Sequence, residues 1–192
     1  EVMQGEPDVL WNTPVAWFAK SSGTTSDKSK FIPLSNESIE DNHFQGSKDV
    51  LSIYYNAFPE SDLLTGKMLV IGGSHQVHPI KDDIQYGDLS AVLLQNSPIW
   101  SGLVRVPELA IALMDEWESK IEMLAQSTIQ EPVTSIAGVP TWTMVLLKRI
   151  LQITGKKTIK EVWPNFELYI HGGVSFTPYK EQFQKLIGPG CN

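Results

Sequence analysis

Residues 133–155 read VTSIAGVPTWTMVLLKRILQITG, and this stretch decides the fold. Val133 to Ala137 is a short β-branched, apolar run of the kind that forms a buried strand. Gly138 turns the chain, and Pro140 sits where proline is best tolerated, at the first position of a helix. That helix runs to about Ile153, and Gly155 stands where a left-handed helix stop belongs. Strand, tight turn and helix in immediate succession are half of a βαβ unit. Downstream, Phe166 to Ile170 is a second strand entering His171-Gly172-Gly173, and Thr177 precedes a helix that begins at Pro178 and stops at Gly188. Upstream, Lys67 to Ile71 is a buried strand ending in Gly72-Gly73. Pro107 opens a long helix from Glu108 to about Gln126, with Ile111, Met114, Ile121, Leu124 and Ala125 at helical spacing.

The first third continues the alternation. Val15 to Ala19 is a strand, Lys20 to Ser29 a polar loop, and Phe31-Ile32 a returning strand that Pro33 stops. Ser35 is a good N-cap for a helix to about Phe58, weakened by Gly46. Ser74 to Gln85 reads as loop, and Asp88 caps a helix that Pro98 ends. The expectation is a layered α/β fold, a largely parallel sheet flanked by helices, with residues 1–192 forming a single structural unit.

The 192 residues carry 15 Lys and Arg against 22 Asp and Glu, a net charge of -7. A binder of nucleic acid or of anionic membrane needs a basic face, so neither partner is expected. The single cysteine, Cys191, leaves no internal disulfide framework and no cysteine metal cluster. No apolar run approaches the ~20 residues of a membrane span, and no signal peptide is visible. A cytoplasmic protein is expected. Glu1 in first position, and an end at Gly188-Pro189-Gly190 that reads as a connector, predict a piece of a longer polypeptide.

The sharpest chemical feature is Ser21-Ser22-Gly23-Thr24-Thr25-Ser26-Asp27-Lys28-Ser29-Lys30. Hydroxyls and the amides around Gly23 can form a concave set of donors for phosphate oxygens, with Lys28 or Lys30 adding charge. It is not a GxxxxGK[ST] loop, because the Gly-Lys pair is missing and the run enters a strand-like Phe-Ile-Pro. From spacing alone, a solvated hairpin tip is an equal reading.

The run WFAKSSGTTSDKSKFIP, residues 17–33 without a break, resembles the phosphate-binding signature of adenylate-forming enzymes. It is most similar to that of the auxin-responsive (Gretchen-Hagen-type) acyl acid-amido synthetases, bacterial branch included. The double Ser before Gly-Thr-Thr carries the likeness, together with Lys30 followed by two apolar residues and Pro33. The acyl-CoA synthetase signature has Gly where this chain has Ser26, and closes its Lys one step sooner. Gly138-Val139-Pro140-Thr141-Trp142 resembles a turn and helix of the superfamily. Tyr169-Ile170-His171-Gly172-Gly173-Val174 resembles the strand and diglycine turn beside which adenine lies. The three landmarks keep the family's order and span essentially the whole chain.

The resemblance implies an ATP-dependent ligase. Mg²⁺ assists formation of an acyl-adenylate from a small carboxylic acid, and an amine, typically an amino acid, then displaces AMP. It further implies that Ser21, Ser22, Gly23, Thr24, Thr25 and Ser26 hold the phosphates and that Lys30 neutralises charge on the leaving pyrophosphate. His171, Gly172, Gly173 and Val174 would border the nucleotide, with a structural hydrogen-bonding role an equal reading for His171. The acyl pocket would draw on Tyr86, Leu89, Leu93, Val139 and Trp142, with Trp100 and Arg105 as further candidates; read blandly, most of these are core. The family's later Tyr-x-Ser-Ser-Glu-like motif, whose Glu serves Mg²⁺, its ribose-holding Asp and its mobile C-terminal domain are absent from these residues. No metal ligand is therefore assigned within the chain, and residues 1–192 alone are expected to be inactive. A non-catalytic nucleotide- or acyl-binding relative, and a ligase with a thiol acceptor, remain alternatives. His75 and His78, with Asp82 and Asp83, are a weak metal pattern that Pro79 interrupts. Asp115, Glu116, Glu118, Lys120 and Glu122 read as the solvated face of a helix.

Overall fold

The structure is a computed structural model that describes residues 1–6, 9–10, 12–21, 29–73, 77–81 and 83–191. Its strands are β1 (Trp17–Ser21), β2 (Lys30–Leu34), β3 (Lys67–Val70), β4 (His78–Lys81), β5 (Ile84–Gly87), β6 (Arg105–Val106), β7 (Val133–Gly138) and β8 (Leu168–His171). Its α-helices are α1 (Gln45–Ala57), α2 (Leu89–Gln95), α3 (Ser101–Val104), α4 (Leu109–Ala112), α5 (Trp117–Thr128), α6 (Pro140–Thr154), α7 (Ile159–Val162) and α8 (Lys180–Ile187). Contacts divide the chain into two compact units, Glu1–Glu60 with Gly73–Ser97, and Ser61–Gly72 with Pro98–Asn192. The α/β expectation holds, and the parallel pairs lie mostly in the second unit.

The first unit carries a mixed sheet in the order β2-β1-β5-β4. β1 and β2 form an antiparallel hairpin whose register runs from Trp17 opposite Leu34 to Ser21 opposite Lys30. Pro33 lies inside β2 instead of ending it, as an edge strand permits, because the missing N–H costs no ladder bond on the open side. β5 pairs parallel with β1 and antiparallel with β4. The hairpin β4–β5 corrects the reading of Ser74 to Gln85 as loop. Ala19, Leu34, Ile39 and Val92 form the small core, and Leu93 packs against it. The Ser35 side chain accepts from the Ser38 amide at 3.2 Å, as its N-cap reading requires. A π-helical stretch, Ser38–Phe44, then precedes α1.

The second unit is built on an all-parallel sheet in the order β6-β3-β7-β8. Its strands are short and apolar because both faces are covered. Leu69, Val133 and Ile136 join Ile121, Leu124 and Ala125 of α5, Leu146, Leu147 and Ile150 of α6, and Phe183 and Ile187 of α8 in one core. Pro140 opens α6, and Gly155 closes it in the left-handed region at φ 66°. Arg149 of α6 grips Glu122 of α5 with two nitrogens, Nε to Oε2 at 2.6 Å and Nη2 to Oε1 at 3.1 Å. The long helix expected from Glu108 to Gln126 is two helices. Glu116 restarts the chain at α5, its carboxylate accepting from the amides of Glu118 and Ser119. Among the described residues, no helix is long and apolar enough to cross a membrane.

Candidate active site

In the parallel sheet, β3 is followed in the chain by β6 on one side of it and then by β7 on the other. The connections leave in opposite directions at the β3/β7 boundary. Such a switch point opens a crevice beyond the carboxyl ends of the strands, the general ligand position of open α/β sheets. The residues leaving those ends are Ile71-Gly72, Gly138-Val139-Pro140 and Gly172-Gly173-Val174. The last two of these are the landmarks singled out from sequence.

The two turns are held against each other. The Tyr169 hydroxyl donates to the Gly138 carbonyl at 3.0 Å and lies 3.3 Å from Thr143 Oγ1. Thr143, fully buried at the start of α6, donates to the Val139 carbonyl at 3.0 Å. Burial pushes the Tyr169 phenol up to about 12, so it is a neutral donor at any physiological pH. Gly173 takes φ +78°, and a methyl built on it would lie 3.4 Å from Val139 Cγ2. Its glycine is therefore demanded by backbone conformation. At Gly172 an added methyl would meet nothing within 4 Å, which leaves backbone open to close approach by a flat ligand. His171 is exposed and stacks on Phe176 with ring centroids 4.3 Å apart. Val174 is exposed as well.

Trp142, also exposed, lies one turn into α6 beside this crevice, its ring centroid 4.0 Å from that of Trp117. Beneath them is a residue that the sequence reading misplaced. Lys120 is fully buried, not solvated, and its Nζ donates to the Gly72 carbonyl at 3.3 Å. It stands four and eight residues before Leu124 and Thr128, on the buried stripe of α5, and that spacing was the available signal. Tyr169 and Thr143 are the other contributors that went unassigned. A tyrosine one residue short of a strand end, and a threonine one turn after the Gly-Val-Pro turn, were their signals. Arg105 lies in β6, and partial burial holds its pKa below the usual arginine range.

Trp100 is exposed and also belongs to the second unit; the remaining candidates belong to the first. Ser21 closes β1 and Lys30 opens β2, and they are register partners. The Lys30 amide donates to Ser21 Oγ at 3.3 Å. This pair is the neck of the hydroxyl-rich loop. Ser22, Gly23, Thr24, Thr25, Ser26, Asp27 and Lys28 lie outside the described residues. Tyr86 of β5 packs its ring against Phe31 at 5.1 Å and His78 at 5.3 Å. Leu89 is exposed at the start of α2, whereas Leu93 serves the core, as its bland reading had it. Gly73 has its amide on Ser90 Oγ at 2.8 Å. His75 and Asp82 of the weak metal pattern lie outside the described residues. Among those described, no three metal-ligating side chains gather.

Open backbone at Gly172, the turn at Gly173 and an exposed aromatic at His171 suit a purine. Ser21 and Lys30 are register partners at the two ends of a stretch of sequence rich in hydroxyls, the chemistry that suits phosphate oxygens.

Comparison with known proteins bears on both units. Among curated proteins none matches the chain. A solved structure of AtGH3.15 acyl acid amido synthetase in complex with 2,4-DB superposes with a TM-score of 0.72 at 17% identity, over 95% of this chain and 41% of that one. A second, of GH3.15 acyl acid amido synthetase, gives 0.67 at 16% identity, over 97% and 42%. At these identities the likeness establishes the fold, and the chain spans less than half of either protein. The family described as GH3 family N-terminal domain matches residues 1–190.

Proposed function

This chain belongs to the GH3 family, by its N-terminal domain, and from that premise we propose that it is the nucleotide- and acid-binding part of an ATP-dependent acid–amino acid ligase. The observation that carries the reading is the hairpin register. Lys30 stands opposite Ser21, and the sequence between them is rich in hydroxyls, Ser22-Gly23-Thr24-Thr25-Ser26. The pairing sets one cation beside the two ends of this hydroxyl-rich stretch of sequence.

The substrates are ATP, a small carboxylic acid and an amino acid. A carboxylate oxygen attacks the α-phosphorus and pyrophosphate departs; the amine nitrogen then attacks the acyl carbon, the bond from that carbon to the AMP oxygen breaks, and the nitrogen gives up a proton to solvent. Mg²⁺, when bound, offsets phosphate charge, and no residue of this chain is assigned to it. The protein's part is to position the reactants and neutralise charge, since such transfers need little covalent help. Ser21, Ser22, Thr24, Thr25 and Ser26 offer hydroxyls and amides to the phosphates, and Gly23 lets the backbone approach. Lys30 compensates charge on the leaving pyrophosphate. Gly172 and Gly173 take the purine against bare backbone, with His171 and Val174 at its edge. In the parallel-sheet unit, Val139 and Trp142 supply apolar surface for the acid.

The natural polypeptide containing this chain is proposed to act in the cytoplasm and to resemble the bacterial branch. Residues 1–192 alone are proposed to be inactive, for want of a metal-ligating Glu and a ribose-holding Asp. The test is a pyrophosphate-release screen of that polypeptide against aryl and alkyl acids, with and without amino acids. Acid-dependent release together with an amide product supports the reading. Release that yields a thioester only with a thiol acceptor, or no release with any acid, overturns it.

A further inference from the structure

A lysine is almost never fully buried unless its charge is answered, because removing an ammonium from water costs several kcal/mol. Lys120 is 0% exposed. Two of its contacts are at the switch-point crevice. One is the carbonyl of buried Gly72, where the chain leaves β3. The other is the ring of Trp117, whose centroid lies 5.7 Å from Nζ, within cation–π range. Trp117 in turn carries Trp142 at 4.0 Å between centroids, tilted by 52°. Trp142 is 45% exposed, so its outer surface is available to a ligand. The sequence therefore spends a buried cation at a position where leucine would satisfy the α5 stripe, and that cation binds both a strand end and the support of an exposed indole.

We propose that Lys120 is a positioning residue for the acid pocket: it fixes the β3 exit at Gly72 and, through Trp117, sets the Trp142 indole against which the acid's apolar part packs. This rests on the ligase reading above. Lys120 itself touches no reacting atom. Its action is mechanical and electrostatic, holding two walls of one crevice with a single group. An apolar side chain of similar length fills the same volume but releases both walls.

The experiment uses the natural polypeptide containing this chain, labelled with 5-fluorotryptophan, as wild type and as Lys120→Met. The Trp142→Phe spectrum assigns the Trp142 resonance. Lys120→Met is expected to shift or broaden the Trp142 resonance and to raise KM for the carboxylic acid about tenfold, while KM for ATP stays within twofold. Should Lys120→Met fail to fold, Trp117→Leu removes the intervening ring, and the same pattern is expected of it. An unmoved Trp142 resonance overturns the proposal, as does an equal rise in both KM values. If no acid supports turnover, the ligase reading falls, and the fluorine spectra alone still decide the link from Lys120 to Trp142.

Discussion

The phenolic oxygen of Tyr169 lies 3.0 Å from the carbonyl oxygen of Gly138. This bond joins the β8 strand end to the turn that follows β7, and so fixes the two glycine turns of the crevice relative to each other. Replacing Tyr169 with Phe leaves the partly buried Gly138 carbonyl without this donor, which costs about 1 kcal/mol. Urea unfolding of the Tyr169→Phe variant is expected to show a lower midpoint with an unchanged slope.

The same residue has a spectroscopic signature. Its phenol is held up to about 12 by burial, against a usual value near 10. Between those values the folded protein keeps a proton that the unfolded chain gives up. The Tyr169 contribution to stability is therefore complete below about pH 10 and is lost as the pH rises toward about 12. Phenolate absorbance followed against pH is expected to show a late step that Tyr169→Phe abolishes.

The two glycines of the β8 turn separate conformation from space. Gly173→Ala forces a left-handed backbone on a residue with a Cβ, at a cost of about 1–2 kcal/mol. Gly172→Ala meets open space, so its effect on stability is expected within about 0.5 kcal/mol. Its methyl instead occupies the surface proposed for the purine. Calorimetry on the natural polypeptide is expected to show AMP affinity reduced at least tenfold by Gly172→Ala.

Glu116 gives a pH prediction of the opposite sign. Hydrogen bonds from Ser119 and from the Ser119 and Glu118 amides hold its carboxyl below the usual range. Its stabilisation of α5 is present above the unfolded-state value and is lost as pH falls through the lower folded one. Thermal melts of Glu116→Ala are thus expected to fall below wild type at pH 7 and to converge with it in strong acid.

Much of this architecture was legible because local signals agreed. Val133 to Gly155 declared strand, turn and helix through β-branched residues, Pro140 and Gly155, and the structure keeps all three. The β4–β5 hairpin was not legible, because His78, Pro79 and Lys81 make a polar edge strand that alternation does not flag. The split between α4 and α5 was hidden by apolar residues that kept helical spacing across it, while Glu116 acted as a cap inside what looked like a charged face. Lys120 was misplaced for the same reason. Residue type outweighed position, although position alone set it on the buried stripe. Of the candidate site, Gly173 meets Val139 at the strand ends, and Ser21 and Lys30 are register partners, whereas Leu93 packs against the core.

We propose that the hydroxyl-rich stretch from Ser21 to Lys30 holds the phosphates of ATP during acyl-adenylate formation. ATP–pyrophosphate exchange in the natural polypeptide, driven by its best carboxylic acid, measures that step alone. Lys30→Ala, at an exposed position where folding should survive, is expected to lower exchange at least a hundredfold with an unchanged far-ultraviolet spectrum. Exchange within twofold of wild type would contradict the account.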